Sequence, residues 1–474
     1  MKGKKLIYLL AALAIMVSCS TADNNTVTLY NDAAIQSFTL GTMNRYVDNV
    51  KSTYAGSRYA FHIDQANRLI YNTDSLPMGT DKQHVICSVS ALNNGLVMIE
   101  HDTKGDTLDF YASTDSIDFS RPRVFRVYAS DGSGYSRYTV KVNVHQEDGE
   151  TFKWRKMASI PAMTGLRTLA YQDRVYVFGN EGGQAKAYST QDGSTWLPAS
   201  LPALTTADAW RNTTVSKDSV YILDKNTLYR SQDLVTWDSE TSETLSDAAL
   251  SVMFGSSTGE LYALTDDNEI ATHYEGLNVW LDESRDSDDM LPTQDFTSTS
   301  FPMSLADSTD YVVLAGNRRV QEGGKEVWRS TMWRKISDYS LTGLIDIAVH
   351  EGIISGQWTY MTHHKDSIYQ LPALSSLQIL KYDDGLLAFG GKGLESDTPA
   401  FCSTMYKSRD MGLTWKPAAN YALPPADKST GASINTNAAA ISATVDSQNN
   451  IWICCATTGE VWRGRLTRLG WKNK

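Results

Sequence analysis

Tryptophan recurs at regular intervals along the last two thirds of the chain, and this spacing constrains the fold more than any other feature. All twelve Trp of the 474 residues lie at or after Trp154. Seven of them mark a repeat: Trp154, Trp196, Trp237, Trp280, Trp358, Trp415 and Trp471. Successive markers are 42, 41, 43, 78, 57 and 56 residues apart, so they enclose six units, one of which carries an insertion. A repeat of this length is typical of a β-propeller.

A second count, which ignores tryptophan, also finds six units. It looks for a strand, a tight turn with Asp or Gly, and a second strand. The second strands of these pairs are Val175–Gly179, Val220–Leu223, Leu261–Leu264, Tyr311–Leu314, Leu386–Gly391 and Ile451–Cys454. The two counts together predict an all-β fold, with a six-bladed β-propeller over residues 152–474.

The segment Ser408–Trp415 fits the pattern S-x-D-x-G-x-T-W and resembles the Asp-box, or BNR repeat, of sialidases and related propellers. Shorter versions begin at Thr190 and Ser231, and Asn180–Gly183 resembles a kelch blade. In the Asp-box the Asp accepts backbone N–H bonds in the turn between the third and fourth strands of a blade, and the Trp packs between sheets. We therefore interpret the following residues as structural: Asp192, Trp196, Asp233, Trp237, Asp410, Gly412 and Trp415.

Residues 27–148 contain no Trp and are predicted to form a separate domain. Alternating segments such as Ala34–Leu40 indicate strands, and Arg123–Tyr128 and Tyr138–Val144 flank the turn Asp131-Gly132 as a closing hairpin. Short strands at regular spacing over this length predict an Ig-like or cadherin-like β-sandwich. We expect this domain to act as a spacer.

Two segments of this domain, Phe61–Gln65 and Leu69–Asp81, make the chain similar to a known family. They resemble the signature of an uncharacterised family of Bacteroidetes lipoproteins, a domain of unknown function. The resemblance implies an Ig-like domain followed by an Asp-box propeller, and it implies no particular activity.

The N-terminus has the pattern of a bacterial lipoprotein. Three Lys precede the apolar stretch Leu6–Val17, and Met16–Cys19 resembles a lipobox, in which the Cys is acylated and becomes the mature N-terminus. This predicts a signal peptide over residues 1–18, lipidation at Cys19 and a tether over 19–26. An ordinary signal peptide with an incidental Cys is the alternative. The predicted location is the bacterial cell envelope, anchored to the outer membrane, with the side left open.

Propeller ligands usually bind at the mouth of the central channel, near the starts of the innermost strands. The alignment of the repeats places Arg167, Trp210 and Arg211 there. The same alignment also places Asn212, Phe301, Gln378, Asn435 and Asn437 at the mouth. In the inserted segment Trp333–Leu371, Trp358, Tyr360 and His363 are predicted to form part of a lid over one face. This set suits a glycan, and it equally suits a solvated channel mouth.

The Asp-boxes raise sialidase activity as the enzymatic alternative. Sialidases require three converging Arg, a Tyr nucleophile with a partner Glu, and an acid/base Asp. Only Arg167 and Arg211 lie at suitable positions, so we predict no catalytic residue. The expected function is a non-catalytic binding or scaffold module for a glycan or protein, and a glycan-active enzyme with an unrecognised active site is the alternative.

Composition and residue spacing exclude further classes of partner and cofactor. The net charge of −11 and the lack of a Lys/Arg-rich run after the first five residues argue against nucleic acid. The adjacent pair His363-His364 and the acidic run Asp286–Asp289 lack metal-ligand spacing, so no metal and no cofactor is predicted. We expect a monomer that contacts the membrane only through its lipid.

Overall fold

The computed structural model describes residues 28–101, 107–241, 250–265, 267–274, 279–286, 290–303, 309–338, 357–361, 369–395, 404–424 and 440–471. The predicted signal peptide, Cys19 and the tether lie outside these residues, as do His363, His364, Asn435 and Asn437. The described residues form strands and short 3-10 turns, with no α-helix among them, so the all-β prediction is confirmed. They divide into two compact units at the Asp148–Gly149 bond.

The first unit has ten described strands: β1 (Ile35–Leu40), β2 (Thr42–Val47), β3 (Val50–Ala55), β4 (Phe61–Asp64), β5 (Leu69–Asn72), β6 (Cys87–Ala91), β7 (Leu96–Glu100), β8 (Leu108–Phe110), β9 (Arg123–Tyr128) and β10 (Tyr135–Lys141). They form a six-stranded sheet in the order β4-β5-β10-β9-β7-β8 and the pairs β1-β6 and β2-β3. Strands β9 and β10 pair antiparallel, which confirms the predicted closing hairpin, and β5 pairs parallel to β10.

The core of this unit follows from the two-residue period of a strand. Phe125 and Val127 alternate along β9 and are fully buried, and the Phe125 ring stacks on Phe119 at 6.3 Å. On the same strand, Arg126 turns away from this core and donates to Glu100 at 2.6 Å.

The second unit contains, among the described residues, six four-stranded antiparallel sheets. Sheets I to III comprise β12 (Leu166–Tyr171), β13 (Arg174–Glu181), β14 (Gln184–Thr190), β15 (Leu197–Pro198); β16 (Thr213–Ser216), β17 (Ser219–Asp224), β18 (Thr227–Ser231), β19 (Asp238–Thr241); and β20 (Leu250–Gly255), β21 (Leu261–Thr265), β22 (Ile270–Tyr274), β23 (Val279–Asp282). Sheets IV and V comprise β24 (Gln294–Pro302), β25 (Thr309–Glu322), β26 (Lys325–Asp338), β27 (Thr359–Tyr360); and β28 (Gln378–Tyr382), β29 (Gly385–Phe389), β30 (Thr404–Ser408), β31 (Lys416–Ala422). Sheet VI comprises β32 (Ile441–Val445), β33 (Ile451–Cys455), β34 (Val461–Leu466) and β11 (Phe152–Lys156).

Sheet VI joins the two ends of this unit. Its fourth strand, β11, comes from the N-terminal end and pairs antiparallel with β34, so that Phe152 faces Leu466 and Lys156 faces Trp462. The Trp154 ring packs on Gly464, where a Cβ would lie 2.3 Å from Cε3 of the ring. This exchange covers the free edge that β34 would otherwise present.

The inner strands of the six sheets are here defined as β12, β16, β20, β24, β28 and β32. Each inner strand lies beside the inner strand of the next sheet. The contacts run from β12 through β16, β20, β24 and β28 to β32, and β32 returns to β12. Side-chain oxygens on one inner strand accept amide N–H bonds from the next: Ser442 from Thr168 (2.9 Å), Thr444 from Ala170 (3.1 Å), Thr297 from Ile379 (3.0 Å) and Thr299 from Lys381 (3.3 Å). These bonds satisfy donors at strand edges that have no ladder partner.

Candidate functional site

The inner strands enclose a cavity of about 410 Å³. Its described lining comes from β12, β20, β24, β28 and β32, together with Trp210 and Arg211 from the 3-10 turn Ala209–Asn212 that precedes β16. Several lining hydroxyls are already used to join inner strands, as described above. The polar groups that remain for a ligand are chiefly cationic.

Arg167, the second residue of β12, reaches across the cavity wall to the turn before β16 and to β20. Its Nη1 donates to the backbone carbonyl of Arg211 at 2.9 Å and to that of Met253, on β20, at 3.2 Å. Burial lowers the pKa of the Arg167 guanidinium to about 10. The group therefore remains protonated at neutral pH while it lies largely out of water.

Trp210 and Arg211 occupy the same wall. The Trp210 ring packs directly on Gly165, where a Cβ would lie 2.2 Å from Cζ2, and its Nε1 donates to Asp208 Oδ1 at 3.2 Å. The Arg211 guanidinium carbon lies 5.3 Å from the centre of that ring. Trp210 thus supports Arg211, and it is not a free platform on which a sugar could stack.

A third cation, Lys381, lines the cavity from β28. Its Nζ donates to the carbonyl of Asp383 at 2.7 Å and lies 5.6 Å from the Phe301 ring. Among the described residues of the lining there is no Asp or Glu.

Other predicted mouth residues have structural contacts. Gln378 links β28 to β32, because its amide donates to the Ile441 carbonyl at 3.2 Å and accepts the Ala443 N–H at 2.9 Å. Phe301 stacks on Tyr311 at 5.3 Å. Among the predicted site residues, the structure therefore brings only the group around Arg167 to the cavity with side chains open to a ligand.

The predicted contribution of Trp358 to a ligand surface is corrected by its burial. Trp358 is 0% exposed and packs edge-on against Phe254 (5.9 Å) and Tyr262 (5.4 Å). Tyr360 is half-buried, with its ring 5.5 Å from that of Trp333. Neither residue is part of the cavity lining. The insertion thus supplies a core Trp, which repeat spacing cannot distinguish from a surface one.

Asp192, Asp233 and Asp410, the aspartates of the three segments predicted to be Asp-boxes, lie in the turns between the third and fourth strands of sheets I, II and V. Asp233 Oδ1 accepts the N–H groups of Val235 and Thr236, both at 2.8 Å. Asp192 accepts from Ser194 at 2.9 Å, and Asp410 accepts from Thr414 at 2.9 Å.

The Trp residues of these three segments are buried to different extents. Trp415 is 1% exposed and donates to the Gly412 carbonyl at 3.1 Å, whereas Trp196 and Trp237 are half-buried. The first Ser or Thr of each box has a role that sequence reasoning missed. Its Oγ accepts the N–H of the residue with positive φ at 2.8 Å, in the pairs Thr190–Gly193, Ser231–Leu234 and Ser408–Gly412.

Replacing Asp233 with Asn is expected to remove part of the acid sensitivity of the second unit. The N–H groups of Thr236 and Val235 lower the pKa of the Asp233 carboxyl from 3.8 to about 2. A carboxylate with a lowered pKa stabilises the fold above its ordinary pKa, and that stability is lost as the pH falls through the folded value. Denaturant unfolding measured across that pH window should give a flatter profile for the variant. An unchanged slope would contradict the assigned bonds.

A buried polar cluster at sheets III and IV was also not predicted. Lys335 is 2% exposed and pairs with Glu283, and Tyr262 donates to Glu260 at 2.5 Å and accepts from the Ser337 hydroxyl at 3.0 Å. Burial raises the pKa of Glu260, although the Tyr262 hydroxyl and the Lys335 charge lower it. No sequence pattern marks these residues, because they come from two strands, β21 and β26, and from two loops.

Metal sites and membrane spans were sought in the same described residues. They contain no group of three or more His, Cys, Asp or Glu placed to hold a metal ion. They also contain no helix of the length and apolarity that crossing a membrane requires.

Four-stranded antiparallel sheets whose inner strands enclose one cavity define a β-propeller protein. The chain belongs to the DUF6242 family. The DUF6242 β-propeller domain matches residues 148–474, and the DUF6242 N-terminal domain, a domain of unknown function, matches residues 38–142. The predictions of a propeller and of membership in an uncharacterised propeller family are thereby confirmed.

Solved structures show distant similarity to about two thirds of this chain. YCF48 bound to D1 peptide has 12% identity and a TM-score of 0.33, covering 66% of this chain and 94% of its own. A Trichoderma reesei Carbohydrate-Active Enzymes Family AA12 structure has 9% identity and a TM-score of 0.39, covering 66% and 95%. The WD40 domain of Toxoplasma gondii coronin has 10% identity and a TM-score of 0.32, covering 67% and 87%. At these values the similarities carry no argument about function, and no curated protein matches the chain.

Proposed function

We propose that the protein is a non-catalytic binding module whose ligand, a glycan or a protein segment, enters the central cavity of the propeller. The observation that carries this proposal is the cavity lining. It brings Arg167, Arg211 and Lys381 to one space of about 410 Å³, with no carboxylate among its described residues. Such a lining can hold polar ligand groups, and its described residues include no carboxylate of the kind that glycoside hydrolysis uses.

The alternative, a glycan-active enzyme, needs groups that this lining does not supply. Glycoside hydrolysis generally uses two carboxylates about 5–9.5 Å apart across the scissile bond, and sialidases use a Tyr with a Glu partner. The described residues do contain a Tyr262–Glu260 pair, but Tyr262 is 0% exposed and outside the cavity lining. This pair is therefore closed to substrate.

The architecture that we propose extends the confirmed propeller. The six sheets would be the blades of one six-bladed ring over residues 152–474, and the cyclic order of the inner strands and the exchange of β11 into sheet VI support this count. We propose an Ig-like sandwich for residues 27–148, because its sheets share one core that contains Phe38, Phe119 and Phe125.

We further propose that the protein is a Bacteroidetes-type lipoprotein. In this proposal residues 1–18 are a signal peptide, Cys19 is acylated, and residues 19–26 tether a monomer to the outer membrane. The apolar stretch Leu6–Val17 followed by the lipobox-like Met16–Cys19 supports it.

Two assays on purified protein test the binding function. We expect retention on a glycan or peptide array, and no turnover of aryl glycosides, including artificial sialosides. Arg211→Ala should weaken retention, because Arg211 is an exposed side chain of the lining, while Arg155→Ala, on the outer strand β11, should not. Turnover that disappears in Arg167→Ala or Arg211→Ala would overturn the binding function in favour of an enzyme.

A further inference from the structure

The charge of the cavity is opposite to that of the chain. The protein carries a net charge of −11, yet the charged side chains in the described lining are Arg167, Arg211 and Lys381. None of the three has a carboxylate partner among the described ion pairs. A cationic site in an acidic protein favours anions locally, since field lines concentrate in a low-dielectric cleft.

The Arg167 guanidinium has donors left over. Only its Nη1 donates to protein acceptors in the described structure, and both acceptors are neutral carbonyls, those of Arg211 and Met253. A guanidinium carries five N–H donors in a planar fork that matches two oxygens of one anionic group. The lowered pKa of Arg167 has burial as its cause, so its charge is not compensated by a protein anion.

The carboxylate of Asp208, which lies beside Trp210 and Arg211, already accepts two hydrogen bonds. Asp208 Oδ1 accepts from Asn180 Nδ2 at 3.0 Å and from Trp210 Nε1 at 3.2 Å, and Asp208 is not part of the lining. These bonds hold Trp210, which in turn supports Arg211 through the contact of its ring with the guanidinium. Asp208 therefore orients the wall through Trp210, and it acts on the Arg211 charge only through space, without a described ion pair.

We propose that the cavity is selective for small ligands that bear an oxyanion, which binds to the free donors of Arg167 and is also contacted by Arg211. Lys381, on β28, lies about three residues further along its strand than Gln378, or ~10 Å, and would contact a second polar or anionic group of an extended ligand. The inference rests on the proposed binding function and names its ligand class. The oxyanion is a carboxylate, sulfate or phosphate group.

The test compares ligands that differ only in charge. Isothermal titration calorimetry on the full soluble chain uses galacturonate and its trimer as carboxylate probes, inorganic sulfate and phosphate as the other two sources, and galactose as the neutral match. We expect at least one anionic probe to bind ~10-fold or more tightly than galactose, with an affinity that falls as salt increases. The preferred probe identifies the oxyanion.

Variants connect the binding to the named residues. We expect Arg167→Gln to weaken the preferred probe ~10-fold or more, Arg167→Lys to weaken it less because the charge is kept, and Arg155→Gln to change nothing. Arg167 also joins β12 to the turn before β16 and to β20, so Arg211→Gln, at an exposed side chain, provides a variant that keeps both of those bonds. The unliganded unfolding midpoint of each variant reports its folding.

Three results would overturn the inference. The first is that galactose binds as tightly as every anionic probe. The second is that none of the anionic probes binds at millimolar concentration. The third is that Arg167→Gln and Arg211→Gln both fold and both retain full affinity. Retention of neutral glycans or peptides on the arrays, together with any of these results, would leave the proposed binding function standing. If the arrays also show no retention, both the oxyanion inference and the proposed binding function are wrong.

Discussion

Replacing Trp358 with Ala is expected to destabilise the second unit by about 3–5 kcal/mol, the usual cost of truncating a buried aromatic side chain. The side chain is 0% exposed and lies among Phe254, Tyr262 and Trp333 in one apolar cluster. A cavity of this size cannot be refilled by neighbouring side chains that are themselves held in strands. If Trp358 were instead a ligand platform, the variant would lose binding and keep its stability.

Chemical denaturation followed by Trp fluorescence measures this effect, because all twelve Trp lie from residue 154 onward and the signal reports on the second unit alone. Trp328 provides the matched control. It is half-buried on the β25–β26 hairpin, with the Arg319 guanidinium 4.8 Å from its ring, and Trp328→Ala should cost less than about 1 kcal/mol. Equal stabilities for Trp358→Ala and the wild type would contradict the burial.

Replacing Lys335 with Met is expected to cost a similar amount, about 3–5 kcal/mol, because it leaves a buried charge without its partner. The Lys335 and Glu283 side chains are 1% and 10% exposed and pair directly. Glu260, 8% exposed, and Asp310, 0% exposed, add negative charge to the same cluster. Lys335 is the cation of this described cluster, so its loss affects all three carboxyl groups.

The loss of unfolding free energy caused by Lys335→Met should become smaller as the pH falls. Burial already raises the pKa of Glu260, and Lys335 is one of the influences that lower it, so the variant raises that pKa further. A carboxyl whose folded pKa is raised destabilises the fold above its unfolded pKa, and this penalty disappears at a pH where it is protonated in both states. Denaturation at pH values from neutral towards the ordinary Glu value of 4.5 should show the two curves converging.

The double variant Lys335→Met with Glu283→Gln isolates the pair. Removing both charges while keeping an amide at Glu283 should recover about 2 kcal/mol relative to Lys335→Met alone. A double variant less stable than Lys335→Met at every pH would show that the ion pair is not what Lys335 contributes. Lys325→Met, an exposed change at the start of β26, controls for the loss of one positive charge.

Local sequence patterns were good predictors of strands and turns. The second strands at Val175–Gly179 and Leu386–Gly391 lie within or overlap β13 and β29, and the hairpin of β9 and β10 was identified from alternation and an Asp-Gly turn. These features depend on side chains within a few residues of one another. Periodicity and turn chemistry encode such short-range relations directly.

The candidate site was only partly predictable. Arg167, Trp210 and Arg211 were identified because they occupy equivalent repeat positions, but the support of Arg211 by Trp210 depends on Gly165, which lies in a different loop. Gln378 was also predicted to lie at the channel mouth and available to a ligand, but its side-chain amide forms hydrogen bonds with the backbone of β32. The sequence shows which residues carry hydrogen-bond donors and acceptors, but it does not show which of them pair between adjacent sheets.

By itself, the sequence determined that the chain is all-β and that its last two thirds repeat as a propeller, because strand period, turn residues and Trp spacing are local and recur. The tertiary structure alone decided which side chains are buried and which remain available. It placed Trp358 in a core, used inner-strand hydroxyls to join sheets, and left Arg167 and Arg211 without acidic partners in the described cavity lining. These outcomes depend on contacts between residues far apart in the chain, where burial and charge compensation are set by neighbours that no local pattern specifies.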